Sequence, residues 1–316
     1  MKILIKGIHG FVGSNLVETL KENHTIYGVD IVSPIKKGVS YTFSWDDLDA
    51  GQVPAVDAII HLAGKAHDTK NQAAAEVYFK VNTGLTQKIY DYFLRSSARK
   101  FIFFSTAKAA ADKVEGVLTE DVVPAPVGPY GESKIKAEEY IQSHMPDSST
   151  GSASKSVYIL RPCMIHGPGN KGNLNLLYGV VSKGIPWPLG AFENRRTFTS
   201  IDNLSFVISG LLDKDVPSGI YNMGDDEALS TNELIQVICE SLGKKAHIWK
   251  FPKGLMNGVA RVGGWMHLPL DPDRLRKLTE NYISSNAKIK AALGVERMPV
   301  EAREGLRRTL EAFKEK

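Results

Sequence analysis

A chain of 316 residues that is 43% apolar and 23% charged, with no low-complexity tract, has the composition of a globular protein able to bury a sizeable core. Its net charge of +4 comes from basic residues scattered along the chain, which argues against a nucleic-acid footprint and leaves room for a basic pocket that takes a diphosphate. Two cysteines, Cys163 and Cys239, without metal-ligand spacing, argue against a disulfide or zinc framework and for a reducing, cytoplasmic compartment.

Lys2–Lys6 reads as a strand that runs directly into a glycine turn, so no export signal is expected. Residues 11–21 follow as a helix with Val12, Leu16 and Leu20 on one face. A second strand is expected over 25–30, and further buried strands over 56–62 and 100–105, separated by one long helix at 74–96. Another helix runs from Tyr130 over 130–143. A Ser- and Gly-rich surface loop at 147–154 and a strand at 156–161 come next. This alternation predicts an α/β fold: a doubly wound parallel sheet, Rossmann-like, with helices on both faces.

Beyond Arg161 the alternation loosens. Loops rich in Gly, Pro and Asn at 166–175 and 184–190 predict a smaller C-terminal substrate-binding lobe facing a cleft. The expected division gives residues 1–165, plus about 197–224, to dinucleotide binding, and 166–196 with 225–316 to the lobe. The apolar stretch 254–270 is interrupted by Arg261, His267 and glycines. It reads as an amphipathic surface or lid helix, without stable membrane insertion.

Gly7-Ile8-His9-Gly10-Phe11-Val12-Gly13 sits where the first strand ends and the first helix begins. Of the three glycines, one permits the tight turn, one lets backbone amides approach a pyrophosphate, and one lets helix and strand pack closely. The helix N-terminus then offers unpaired N–H groups to the phosphates. Asp30 ends the next strand, 23 residues after Gly7. That spacing suits a carboxylate accepting from an adenosine ribose and repelling a 2′-phosphate, so NAD(H) is expected over NADP(H). Lys36 and Lys37 soften that preference, and Lys6 and His9 are unusual neighbours for such a loop.

Tyr130 and Lys134 stand four residues apart, on one helix face. A phenol acting as acid or base at neutral pH needs a lowered pKa, which a nearby ammonium and an oxidised nicotinamide would supply. The pair alone is common on amphipathic helices. Ser105 and Thr106, however, end a buried strand where ligands of open α/β sheets bind.

These residues together resemble the extended short-chain dehydrogenases/reductases, a family that includes UDP-galactose 4-epimerases and nucleotide-sugar reductases. The likeness is carried by the glycine turn, Asp30, His61-Leu62-Ala63-Gly64, Val81-Asn82, Phe104-Ser105-Thr106, the Tyr130/Lys134 pair and Arg161-Pro162. It implies a catalytic trio of Thr106, Tyr130 and Lys134. It also implies cofactor contacts from Gly7, Gly10, Phe11, Val12, Gly13, Asp30, Ile31, Leu62, Ala63, Gly64, Asn82, Ser105 and Pro162. A homodimer through the helices at 74–96 and 130–143, with no metal, follows from the same resemblance.

On the substrate side, Arg196 matches the family arginine that contacts a UDP diphosphate, a role suited to its fixed fork of donors. By the same resemblance Arg276, or Arg274, is the second cation and Asn173 a phosphate contact, while Trp187 is either the uracil neighbour or plain core. Lys108 fits a subgroup, the 4-reductases of UDP-4-keto-6-deoxy-N-acetylhexosamines, which several loop stretches also resemble. The expected activity is therefore NADH-dependent reduction at C4 of such a UDP-sugar in surface polysaccharide precursor synthesis. A UDP-sugar 4-epimerase is the alternative, and a non-enzymatic NAD-responsive binding protein a third. Ala107-Lys108 replaces the Asp-Glu of the family's dehydratases, which disfavours water elimination. Two departures stand out: His166 where tyrosine is common, and Met164 where epimerases often carry asparagine.

Overall fold

A computed structural model describes residues 1–62, 64–65, 74–146, 155–170, 172–266 and 270–314. Ala63, the loop at 147–154 and Lys171 lie outside them. β1 (Lys2–Lys6) leads through the glycine turn into α1 (Phe11–Leu20), followed by β2 (Thr25–Val29), β3 (Tyr41–Phe43) and α2 (Trp45–Asp49). β4 (Ala58–His61) precedes α3 (Ala75–Tyr78), a π-helical turn (Phe79–Gly84) and α4 (Leu85–Arg95). β5 (Lys100–Phe104), α5 (Ala107–Ala110) and β6 (Val117–Leu118) lead to α6 (Gly128–Ser143) and β7 (Ser156–Pro162). Then come β8 (Met164–His166), α7 (Asn173–Ser182), β9 (Phe198–Ser200), α8 (Ile201–Asp213) and β10 (Gly219–Met223). The chain ends with α9 (Thr231–Ser241), α10 (Lys253–Trp265), α11 (Pro272–Thr279), β11 (Ile283–Ser284), α12 (Ala287–Leu293) and α13 (Ala302–Lys314).

Seven strands form one sheet in the order β10-β7-β5-β4-β1-β2-β3, every pair parallel. A parallel sheet is covered on both faces, so its strands read as continuous apolar runs. In β1 the alternation assigns each side chain to a face. Ile3 and Ile5 join Leu16, Leu204 and Leu211 in a core under α1 and α8, while Leu4 joins Ile59, Tyr90, Phe101 and Ile141 under α4 and α6. A further core, around Leu174, Trp187, Ile238, Met256 and Leu306, holds the smaller C-terminal lobe together. α12, although late in sequence, packs on β10 and α8 rather than on that core.

The strand order reverses between β1 and β4, whose neighbours lie on opposite sides. The crevice beyond the carboxyl ends of these two strands is where open α/β sheets take ligands. The turn after β1 and the segment after β4 both border it.

Where one helix over 74–96 was expected, the chain forms α3, the π turn and α4. A π turn adds a residue without changing composition, so apolar periodicity does not reveal it, and such turns recur at functional sites. Asn82, fully buried, lies on it. α6 starts two residues before Tyr130, at Gly128 (φ +82°), with Pro129 pre-set for the first turn.

Candidate active site

The glycine turn is folded as its residues require. Gly7 adopts φ +87°, its N–H bonds the Val29 carbonyl at 3.0 Å, and Gly10 N–H returns to the Gly7 carbonyl at 3.1 Å. A Cβ on Gly13 would lie 2.4 Å from the Gly7 carbonyl oxygen, inside any tolerable contact. α1 can therefore approach β1 only with glycine there. Gly10, the N-cap, has no side chain to cap α1, which leaves its first N–H groups pointed at the crevice. Gly13→Val is expected to destabilise the fold by about 1–3 kcal/mol through overpacking and to abolish dinucleotide binding. Urea unfolding and calorimetric titration with NAD check both, and retained affinity would refute this assignment.

Asp30 sits beside the turn. Its carboxylate accepts from His9 N–H at 3.1 Å and from Ile31 N–H at 2.8 Å, while His9 Nε2 lies 3.2 Å from the Thr42 hydroxyl. The Ile31 side chain itself is exposed. Lys36 donates to Ser14 on α1 at 2.7 Å. Leu62 N–H bonds the Lys6 carbonyl at 3.0 Å, which fixes the β4 exit next to the turn.

Three segments converge beyond β4. Asn82 accepts from Lys65 N–H at 2.7 Å, donates to the Lys65 carbonyl at 3.1 Å and donates to the Ser133 hydroxyl at 2.9 Å. The π turn is thereby tied to the segment after β4 and to α6. A Cβ on Gly64 would stand 2.9 Å from both Asn82 Oδ1 and Lys134 Nζ, so this glycine keeps the floor open. Lys134 is 4% exposed and donates to the Phe104 carbonyl at the end of β5 at 2.7 Å. Gly7, Gly10, Asp30, Leu62, Gly64, Asn82 and Lys134 gather around the carboxyl ends of β1 and β4, and Pro162 is buried at the end of β7.

The proton chemistry differs from the sequence expectation. Burial raises the Tyr130 phenol above its ordinary value, and a hydrogen bond with the Thr106 side chain opposes that only in part. Lys134 is not among the groups that move it. Burial instead lowers Lys134 itself to about 7, with Lys6 lowering it further and Glu138 opposing. Lys6 falls to about 8, chiefly by burial, while the charge of Asp30 pulls it up. Between them His61, fully buried and 2.9 Å from the Thr86 hydroxyl, is held well below its usual value by burial and then by Lys6 and Lys134. The floor of the crevice therefore collects basic groups that shed protons readily, beneath a phenol that keeps its own.

Both lysines stay protonated in the unfolded chain to about pH 10.4. Between about pH 7 and 10 the unfolded chain therefore binds more protons than the folded one, and stability of the cofactor-free protein rises with pH. Below that window both states are charged and the slope vanishes. Lys134→Met is expected to flatten the rise by up to about 1.4 kcal/mol per pH unit. Urea midpoints across a pH series test this; parallel slopes would contradict it.

Under the strand end, Ser105 donates its hydroxyl to Glu138, which Arg161 grips through Nε at 3.1 Å and Nη2 at 2.6 Å. All three are buried. Ser105 thus anchors the backbone from below and leaves Thr106, the N-cap of α5, to meet Tyr130. Sequence reasoning named Arg161 and Ser105 but missed Glu138, whose place on α6 facing β7 has no local signature.

Beyond α5 lie the cations that the sequence assigns to the substrate side. Lys108 Nζ donates to the Asp112 carboxylate at 3.0 Å and sits 4.7 Å over the Tyr282 ring, whose hydroxyl donates to the Ala111 carbonyl at 2.8 Å. Arg276 bonds Glu280 at 2.8 Å and Asp273 at 3.0 Å and reaches Asp112 at 3.5 Å. Arg196 is partly buried, donates to the Lys277 carbonyl, and feels the charges of Glu280 and Arg276. The structure brings Lys108, Arg196 and Arg276 into one cluster, with Asp112, Glu280 and Tyr282 as partners the sequence did not suggest.

Two further residues expected on the substrate side are not among the bonded partners of that cluster. Trp187 is buried in the core of the C-terminal lobe, its backbone bonded to His247 and Trp249, because its indole fills the space between α7, α9 and α10. Asn173 is exposed at the first residue of α7. Cys163 and Cys239 are both free and buried, and burial pushes the Cys163 thiol up to about 12.

Residues 3–224 match the model of the NAD dependent epimerase/dehydratase family. The chain belongs to that family. It is an NAD-dependent enzyme of nucleotide-sugar chemistry. Among its relatives, a UDP-glucose 4-epimerase of Vibrio cholerae is 32% identical over 267 residues, covering 79% of this chain and 78% of that protein. The N-acetyl-alpha-D-glucosaminyl-diphospho-ditrans,octacis-undecaprenol 4-epimerase of Escherichia coli O157:H7 is 26% identical over 295 residues, 91% of this chain and 84% of that one. The solved structure of MoeE5 in complex with UDP-glucose and NAD superposes with a TM-score of 0.77 at 21% identity, over 100% and 99% of the two chains. The family's cofactor fits the glycine turn, the uncapped α1 and the open floor at Gly64.

Proposed function

We propose that this chain moves hydride at C4 of a UDP-hexose, with ketosugar reduction as the direction its site favours. The observation that carries this reading is the half-buried Tyr130 side chain, its phenol raised in pKa and hydrogen-bonded with Thr106 at the carboxyl end of β5. A phenol kept protonated is an acid for a carbonyl oxygen. Thr106 holds O4 beside it, and Tyr130 passes its proton to O4 as the carbonyl becomes a carbinol. Lys134, fixed by the Phe104 carbonyl, orients the nicotinamide ribose. Arg196, with Arg276 and Lys108, neutralises the diphosphate. When bound, NADH supplies the hydride. Residues 1–165 with 197–224 hold the dinucleotide and the remainder the sugar nucleotide. α4 and α6 pair with the same helices of a second copy, which sedimentation velocity tests.

The second reading is a 4-epimerase, favoured by the Vibrio cholerae relative. It uses the same groups and returns hydride to the opposite face of C4. A polyprenyl diphosphate-sugar, the substrate type in the name of the Escherichia coli relative, would present Arg196 with the same anion as a UDP-sugar. The deciding experiment mixes the protein with NADH and a panel of UDP-4-ketosugars, intact UDP-hexoses and a polyprenyl diphosphate-hexosamine. Loss of reduced-nicotinamide absorbance with ketosugar alone selects the reductase. Interconversion of intact hexoses without net cofactor turnover selects the epimerase, and no reaction with any of them removes both.

A further inference from the structure

From Ser241 to Met266 the sequence carries five cations, Lys244, Lys245, Lys250, Lys253 and Arg261, and no aspartate or glutamate. The same segment breaks the usual burial of apolar side chains. Of the 19 exposed large hydrophobic residues among those described, seven fall between Trp249 and Met266, so they cluster rather than stand as isolated surface residues. α10 is buried along one stripe only, through Met256, Ala260 and Gly263. The neighbouring stripe, Leu255, Val259, Val262 and Met266, recurs at i, i+4, i+7 and i+11 and faces solvent. Trp265, 82% exposed, and Arg261 border it on the outer side, and Trp249, 51% exposed, precedes the helix. This strip lies on the C-terminal lobe, on the helix that packs against α11.

We infer that α10 and the segment leading into it form a docking face for an anionic lipid surface. Three observations select that occupant. The face combines an apolar stripe with cations at its margin, the composition of helices that lie in the headgroup region, where indole rings settle. The segment's charge is of one sign, so a second copy of it would set Lys250, Lys253 and Arg261 against their like with no carboxylate of the segment between them. A nucleic acid would match the cations but leave Leu255, Val259, Val262 and Trp265 in water. No helix among the described residues is long and apolar enough to cross a membrane, so the contact is interfacial. The inference stands apart from the C4 chemistry proposed above.

Sedimentation with extruded vesicles tests it, using the full chain. Wild type pellets with phosphatidylcholine vesicles containing phosphatidylglycerol, stays in the supernatant with phosphatidylcholine alone, and is released by high salt. Neutralising Lys250, Lys253 and Arg261 to glutamine lowers partitioning about a hundred-fold, at about five-fold per cation near an anionic surface. Trp265→Ser reduces the blue shift of tryptophan emission on vesicle addition, leaving the part that comes from Trp249. Unchanged circular dichroism and NAD affinity show that the variants fold. Equal partitioning of wild type and the triple variant would overturn the inference. So would an absence of vesicle binding combined with self-association that Trp265→Ser abolishes, which would assign the face to a second copy, or with binding of an acidic protein.

Discussion

Tyr130→Phe is expected to lower kcat by about 10²–10⁴-fold, the range that one positioned proton donor supplies, while NAD affinity stays within a factor of two or so. The expectation follows from where the hydroxyl sits. It is hydrogen-bonded with Thr106, and burial raises its pKa. In the cofactor-free protein the phenol is therefore an acid at neutral pH, suited to protonating a C4 oxygen. Phenylalanine keeps the ring and its packing but removes the transferable proton. Steady-state turnover of a UDP-4-ketosugar, with calorimetric titration of NAD, separates the chemical step from binding. A variant that turns over at the wild-type rate would remove Tyr130 from the mechanism, and an equal loss of NAD affinity would recast it as a binding residue. Thr106→Val, which deletes the hydroxyl that meets Tyr130, is expected to move kcat in the same direction.

The parts of this site that sequence reveals are those whose partners are close along the chain. The turn from Gly7 to Gly13 announces itself because three glycines, a strand and a helix meet within a dozen residues, and each glycine answers a steric demand that the structure shows at Gly13 most directly. Tyr130 and Lys134 are legible because helical geometry places residues four apart on one face. The sheet is legible because strands buried on both faces read as unbroken apolar runs. What escapes is set by contacts distant in sequence. Arg276 meets Asp112 across 164 residues and Tyr282 meets Ala111 across 171, so no spacing rule links them. Lys6, His61 and Lys134 come from β1, β4 and α6; the burial that lowers all three, and the charge of Lys6 that adds to it at His61 and Lys134, exist only once the sheet register sets Lys6 opposite His61. Trp187 could be a uracil neighbour by family likeness or plain core, and only the packing of α7, α9 and α10 shows it within the core.

Glu138→Leu is expected to cost about 3–5 kcal/mol of unfolding free energy, the loss typical of stripping one partner from a buried ion pair. Arg161 is 1% exposed and Glu138 fully buried, and the guanidinium makes three of its contacts to this one carboxylate. Its Nη1 is already buried without a hydrogen-bond partner. With leucine at 138 the whole cation would be left uncompensated, and Ser105 would lose the acceptor that steadies the end of β5. The double variant Glu138→Leu/Arg161→Met removes the charge as well as its partner. It should recover most of the loss, because a buried ion pair replaced by apolar side chains of similar volume is often close to neutral. Urea unfolding of the two single variants and the double closes the cycle. A wild-type midpoint for Glu138→Leu, or additive losses in the double variant, would show that the pair is not coupled. Turnover adds the link to function: if Ser105 positions Thr106, the stable double variant should still lose kcat, since nothing then accepts the Ser105 hydroxyl beneath the reacting carbon. A double variant that is stable and fully active would confine Glu138 and Arg161 to holding α6 against β7.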